Sequence, residues 1–217
     1  YKLGFRPHEA RIKRLVREEL AAMKQDPRHR TARARLNDLA SEYMFLHLEK
    51  PRSDVLGRLA IGEIGLDYHY DHAERSVQRK VFEQQLQLAA DLDMPVVIHT
   101  READDDTRDI LRAFAPLLKR KGVIHSFTSG LPLAEYCLSE GFMLGFNGIA
   151  TFNRADNVRE VIAAAPLEQI LLETDAPYLT PAPYRGRPNA PFYLPLVAEK
   201  VAEVKQLDVE TMLQQVY

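Results

Sequence analysis

The feature that most constrains the fold is a short apolar run that ends in a polar residue and recurs along the chain. Glu63, His99, His125 and Asp175 each stand at the end of such a run, at intervals of 36, 26 and 50 residues. The last interval contains another apolar run at residues 142–146, so it corresponds to two units. One strand and one helix of a (β/α) barrel occupy about this length, which predicts that each residue ends a parallel strand.

The carboxyl ends of the strands of such a barrel face a common mouth, so these four residues are expected to converge there. Two imidazoles and two carboxylates in one place are typical of a divalent-metal site. Each residue also has a structural alternative. A histidine can be a hydrogen-bonded core residue, Glu63 a buried carboxylate bonded to backbone, and Asp175 the cap of the turn into Ala176-Pro177.

The alternation of strands and helices predicts an α/β fold of the TIM-type (β/α) barrel class, with right-handed crossovers. Strand-like runs are found near residues 2–5, 58–62, 96–99, 122–125, 142–146 and 170–173. These are about six of the eight strands of a closed barrel, so we expect the barrel to be N-terminally incomplete as given. The absence of a linker or low-complexity segment predicts one domain over residues 1–217, and the role of residues 33–57 is open.

Composition narrows the class of protein. Hydrophobic residues make up 46% and charged residues 28%, which is typical of a globular domain with a sizeable core. The net charge of −2 means that the whole molecule does not attract nucleic acid electrostatically. The single cysteine, Cys137, excludes an intramolecular disulfide. With no apolar run long enough to span a membrane, these features predict a cytoplasmic protein without membrane contact.

Four strings carry a resemblance to a known family: GEIGLDYHYD, PVVIHTREAD, GVIHSFTSG and LLETDAPYLTPAPYRG. In this order, over roughly residues 58 to 190, they resemble the TatD-type metal-dependent deoxyribonucleases of the amidohydrolase-like TIM-barrel group. The segment from Gly4 to His8 is also similar to the Gly-x-His-Pro-His segment of that family, with Arg6 where a histidine is usual.

The resemblance implies roles for the four strand-end residues. Glu63 would bridge two divalent metals, His99 and His125 would complete one of them, and Asp175 would bind the other and orient the attacking water. One or two ions are expected, and Mg, Mn and Zn are not distinguished by the sequence. The usual Asp-x-His-x-His strand is absent from this sequence, which would leave the metal at Asp175 without two ligands.

Substrate contacts are expected from four further residues. Arg101 and Arg185 are candidates for holding phosphate oxygens, because guanidinium groups bind them in a planar, bidentate way. Tyr68 can either stack on a base or pack the barrel mouth. His8 follows the strand predicted near residues 2–5. Its side chain is a candidate substrate contact, and the alternative that it points away from the site stays open.

These features together predict a metal-dependent hydrolase, most plausibly a deoxyribonuclease that cleaves DNA phosphodiester bonds with metal-activated water. Two alternatives stay open at this point. One is a hydrolase of a small amide or ester from the same barrel group, and the other is a non-catalytic barrel remnant that binds nucleic acid or another partner. The oligomeric state is not predicted.

Overall fold

The computed structural model describes residues 60–70 and 72–216. Its strands are β1 (Ile61–Asp67), β2 (Val96–Arg101), β3 (Gly122–Ile124), β4 (Met143–Phe146) and β5 (Ile170–Leu172). Its α-helices are α1 (Arg75–Asp91), α2 (Asp104–Phe114), α3 (Leu131–Ser139), α4 (Asp156–Ala164), α5 (Leu194–Lys205) and α6 (Val209–Leu213). Among the described residues, no helix is both long enough and apolar enough to cross a membrane.

The five strands form one sheet in which every pair is parallel and the spatial order follows the chain, β1-β2-β3-β4-β5. Each strand is followed by a helix before the chain returns to the sheet. The predicted α/β class is therefore confirmed, with the sequential order that a (β/α) barrel requires. The strand expected near residues 2–5 lies outside the described residues, and the single domain over residues 1–217 stays a prediction.

The core lies between the sheet and its helices. Ile64, Leu66 and Ile98 are buried in one cluster with Phe82 and Leu86 of α1. Because successive side chains of a strand point to opposite faces, burial of Ile98 on the helix side directs its neighbour His99 to the other face. In the pairing of β1 with β2, Gly65 lies beside His99. The apolar pattern of the strands thus decides which face carries the polar residues.

A β-bulge in β1 determines the position of the Glu63 side chain. Ile61 pairs with Val96 and Ile64 pairs with Ile98, so β1 contains one more residue than β2 between these pairs. Such a bulge redirects the side chains within it, and Glu63 lies inside this one. Gly65 lets β1 approach β2 closely, because its φ is +125° and an added Cβ would lie 2.0 Å from the carbonyl oxygen of His99.

Candidate metal centre

The structure brings the four predicted residues together at one edge of the sheet, although Glu63 and His99 lie within β1 and β2 and not at their ends as predicted. Glu63 Oε1 lies 3.3 Å from His99 Nδ1 and 3.8 Å from His125 Nε2. Asp175 Oδ1 lies 3.8 Å from the same His125 Nε2. Glu63, His99 and His125 each offer one ligand atom, and all three atoms lie within 4.8 Å of one another. The convergence expected of parallel strands is therefore present.

The donor atoms fit a divalent ion. Protein ligands lie about 2.0–2.2 Å from a zinc ion, so two ligands of one ion are separated by roughly 3–4 Å. The pairs Glu63–His99 and Glu63–His125, at 3.3 and 3.8 Å, have this separation. Imidazole nitrogen combined with carboxylate oxygen suits Zn, Mn or Fe, whereas Mg prefers more oxygen ligands.

Asp67 holds His99 in place. Its Oδ2 lies 3.2 Å from His99 Nε2, while its Oδ1 accepts hydrogen bonds from the backbone N–H groups of His69 and Tyr70. Burial acts to raise the pKa of Asp67, but these backbone donors and His99 outweigh it and lower the pKa below its usual value. With Nε2 donating to the ionised Asp67, the Nδ1 atom of His99 is free to face Glu63.

Glu173 has the same relationship to His125. Glu173 Oε2 lies 3.0 Å from His125 Nδ1, and Oε1 accepts a hydrogen bond from the backbone N–H of Ser126. A carboxylate on one ring nitrogen fixes the tautomer and presents the lone pair of the other nitrogen to a metal. His125 Nε2 faces Glu63 and Asp175, so it is the nitrogen that this contact makes available.

Glu173 is the residue that reasoning from the sequence missed. It belongs to the LLETD string, but only Asp175 was assigned a function there. The available signal was a glycine on the neighbouring strand. A Cβ added at Gly145 would lie 2.7 Å from Glu173 Oε1, so the absence of a side chain at Gly145 makes room for this carboxylate.

The loop after β5 carries Asp175 and is held by Asn189. The buried Asn189 side chain donates from Nδ2 to the carbonyl oxygens of Thr174 and Tyr178, on both sides of Asp175, at 2.5 and 2.6 Å. The Asn189 backbone N–H donates to the Pro177 carbonyl oxygen at 2.9 Å. This bracing fixes the backbone at Asp175, whose φ is +54°.

The electrostatics of the cluster favour a bound cation. The hydrogen bond that His125 donates to Glu173 raises the pKa of His125 against the opposing effect of burial, and the negative charges of Glu63 and Asp175 raise it further. Burial raises the pKa of Asp175, His125 opposes this effect, and the negative charges of Glu173 and Glu63 add to it. The carboxylates of Glu63, Asp67, Glu173 and Asp175 thus surround two imidazoles, and a divalent cation would neutralise their charge.

Arg101 and Tyr68 line one cavity of about 710 Å³ next to α2. The Arg101 guanidinium lies 4.9 Å from the centre of the Tyr70 ring. Tyr68 is only 8% exposed, its hydroxyl donates to Asp106 at 2.5 Å, and the Arg75 guanidinium covers its ring at 4.3 Å. These contacts match the packing alternative for Tyr68, because the face that a base would stack on is already covered.

Arg185 lines a second cavity of about 470 Å³, where its guanidinium lies 3.8 Å from the centre of the Phe152 ring. Thr128, in the loop that follows His125, lines both cavities. His8 lies outside the described residues, so its orientation stays a prediction.

Comparison with known proteins gives the family. The model of the family described as TatD related DNase matches residues 3–217. The crystal structure of YJJV, a TatD homologue from Escherichia coli K12, superposes with a TM-score of 0.69 at 34% identity, covering 82% of this chain and 67% of that one. The crystal structure of an uncharacterized amidohydrolase from Saccharomyces cerevisiae shares the fold, with a TM-score of 0.66 at 24% identity.

The curated proteins that are similar to this chain include a metal-dependent hydrolase and an exonuclease. The chain is 40% identical over 152 residues to the uncharacterized metal-dependent hydrolase YabD of Bacillus subtilis, covering 70% of this chain and 59% of YabD. It is 41% identical over 149 residues to the 3'-5' ssDNA/RNA exonuclease TatD of Erwinia tasmaniensis, covering 66% of this chain and 57% of that protein. The chain thus spans about three-fifths of the length of the curated relatives that it matches. With the family model covering almost its whole length, the chain belongs to the TatD-related DNase family.

Proposed function

We propose that the chain is a metal-dependent hydrolase of nucleic-acid phosphodiester bonds. The observation that carries the proposal is the convergence of Glu63, His99 and His125 with ligand atoms within 4.8 Å of one another. The names of two relatives, a metal-dependent hydrolase and a 3'-5' ssDNA/RNA exonuclease, support the reaction class and the polymer.

His99 through Nδ1, His125 through Nε2 and Glu63 through Oε1 would hold one divalent ion, and Asp175 Oδ1 lies 3.8 Å from His125 Nε2, beside this cluster. By resemblance to the family, Glu63 would bridge to a second ion bound by Asp175. A divalent ion in this position neutralises charge on the phosphate and lowers the pKa of water, which makes a nucleophile available near neutral pH.

The residues of the chain itself supply orientation and proton transfer. Asp175 points into the cluster with a pKa raised by burial, so its carboxylate is suited to orient the attacking water and accept its proton. Arg101 and Arg185 would hold non-reacting phosphate oxygens through their guanidinium groups. Asp67 and Glu173 would keep the two imidazoles in the tautomers that metal binding requires.

A hydrolysis assay with a matched control tests this function. The chain, freed of metal with EDTA and reloaded separately with Mn, Zn or Mg, is incubated with end-labelled single-stranded DNA and with a small amide. The unaltered chain should shorten the DNA only with metal, and His125→Ala should lower the rate by at least about 100-fold. His69→Ala is the control, because His69 contacts Glu102 outside the cluster. Metal-stimulated cleavage of the amide with intact DNA would contradict the proposal.

A further inference from the structure

The two cavities that share Thr128 differ in charge. Carboxylates dominate the lining of the first cavity, where Glu102, Asp104, Asp105 and Asp106 outnumber the one arginine, Arg101. The second cavity is lined by Arg154 and Arg185, and none of the described residues that line it is a carboxylate. Arg108 pairs with Asp105 and Arg79 pairs with Asp106, but the first cavity still carries more negative charge than the second, so a polyanion is favoured in the second cavity.

The arginines of the second cavity are available to a ligand. Arg154 and Arg185 form no ion pair with a carboxylate of residues 60–70 or 72–216, in contrast to the neighbouring Arg159, which binds Asp156 at 2.6 Å. The Phe152 ring holds the Arg185 guanidinium at 3.8 Å through a cation–π contact, and its N–H donors bond to no acceptor in the part of the chain that the structure describes. A fixed guanidinium with free donors is suited to bind a phosphate oxygen.

The second cavity also lies near the metal centre. Thr128, which lines the cavity, is three positions after His125 in the chain, so their Cα atoms are at most about 11 Å apart. The Asn157 side chain donates to the Thr128 carbonyl oxygen at 2.8 Å, and this fixes the loop against α4. A nucleic-acid strand that leaves the metal centre past Thr128 therefore enters the cavity that Arg154 and Arg185 line.

We propose that Arg154 and Arg185 form a binding subsite for the phosphates of a single-stranded nucleic acid that extends from the metal centre. The subsite takes phosphates next to the one that reacts, and the exposed face of the Arg185 guanidinium plane supplies a surface for base stacking. Beyond the reacting phosphate the strand follows this basic cavity, while Arg101 in the first cavity would contact the reacting phosphate itself. The proposal rests on the proposed function, since it assumes a nucleic-acid substrate.

The test measures the binding of fluorescein-labelled oligodeoxythymidylate by fluorescence anisotropy, in EDTA, at several salt concentrations. The variant Arg154→Glu/Arg185→Glu should bind at least about tenfold more weakly than the unaltered chain. The slope of log Kd against log salt should fall by about 1.4, which is the value for two lost phosphate contacts on a single strand.

The control is Arg112→Glu/Arg120→Glu, which changes the net charge equally at two exposed arginines outside both cavities. This control should bind like the unaltered chain. Equal affinity and equal salt slope in the subsite variant, or equal weakening in the control, would overturn the proposal.

Metal-stimulated hydrolysis of a small phosphodiester by the unaltered chain tests the proposed function separately. If that reaction is absent while binding depends on Arg154 and Arg185, the subsite stands and the proposed function fails.

Discussion

Glu173 Oε2 lies 3.0 Å from Nδ1 of His125, and this contact determines which nitrogen of the imidazole can bind a metal. His125 Nδ1–H donates to the carboxylate, so the lone pair of Nε2 is directed toward Glu63 and Asp175. Asp67 has the equivalent position at His99. Each imidazole of the cluster is therefore backed by a carboxylate, and a metal would be bound by groups that are already oriented.

The first prediction concerns Glu173 itself. Glu173→Ala removes the acceptor for His125 Nδ1, and we expect the affinity for Mn or Zn to fall by about 10- to 100-fold. Glu173→Gln keeps an oxygen that can accept the hydrogen bond and should restore part of the affinity. Competition with a coloured chelator measures the change, and the exposed Glu168→Ala provides the control. Unchanged affinity in Glu173→Ala would show that this carboxylate does not orient the ligand.

A second prediction uses the glycine that makes room for Glu173. Gly145→Ala would place a Cβ 2.7 Å from Glu173 Oε1, so the carboxylate must move away from His125. We expect weaker metal binding together with a loss of about 1–3 kcal/mol in the free energy of unfolding, from overpacking at a buried position. In the control Gly130→Ala, the nearest atom to the new Cβ is 3.6 Å away, at Pro132 Cδ. Equal metal affinity in the two variants would contradict the prediction.

A third prediction concerns the loop that carries Asp175. Asn189→Ala removes the hydrogen bonds that a buried side chain donates to the carbonyl oxygens of Thr174 and Tyr178. Each lost hydrogen bond costs about 0.5–1.5 kcal/mol, so the midpoint of urea unfolding should fall. The exposed Asn153→Ala should leave it nearly unchanged. An unaltered midpoint in Asn189→Ala would mean that the loop is held by other contacts.

The titration of Tyr68 gives a fourth prediction. Burial, with the hydrogen bond to Asp106, raises the pKa of Tyr68 to about 12. The folded state therefore holds this proton more tightly than the unfolded state, whose tyrosine pKa is about 10. The stability that results is complete below about pH 10 and is lost as the pH rises through about 12. The absorbance difference between the unaltered chain and Tyr68→Phe should titrate near pH 12, and a midpoint near pH 10 would show an exposed hydroxyl.

The prediction that Glu63 and His99 end their strands was wrong, since they lie within β1 and β2, but the sequence was sufficient to predict that the four residues meet. The physical reason is general. Parallel strands connected by right-handed crossovers present their carboxyl ends at one edge, so a polar residue after an apolar run points to that edge whichever helices intervene. This is why Glu63, His99, His125 and Asp175 could be expected to meet although 112 residues separate the first from the last.

The positioning carboxylates could not be predicted in the same way. Glu173 depends on space left by Gly145 on another strand, and that space is a tertiary contact that no local pattern contains. The environment of Tyr68 depends on Asp106, which is 38 residues away in the sequence.

The most direct measurement of the central claim is anomalous X-ray diffraction from crystals of the chain soaked in manganese. We expect a peak about 2.0–2.5 Å from Glu63 Oε1, His99 Nδ1 and His125 Nε2, and no peak at this position in crystals of Glu63→Ala/His125→Ala. A manganese peak elsewhere in the molecule, with none between these three residues, would contradict the account.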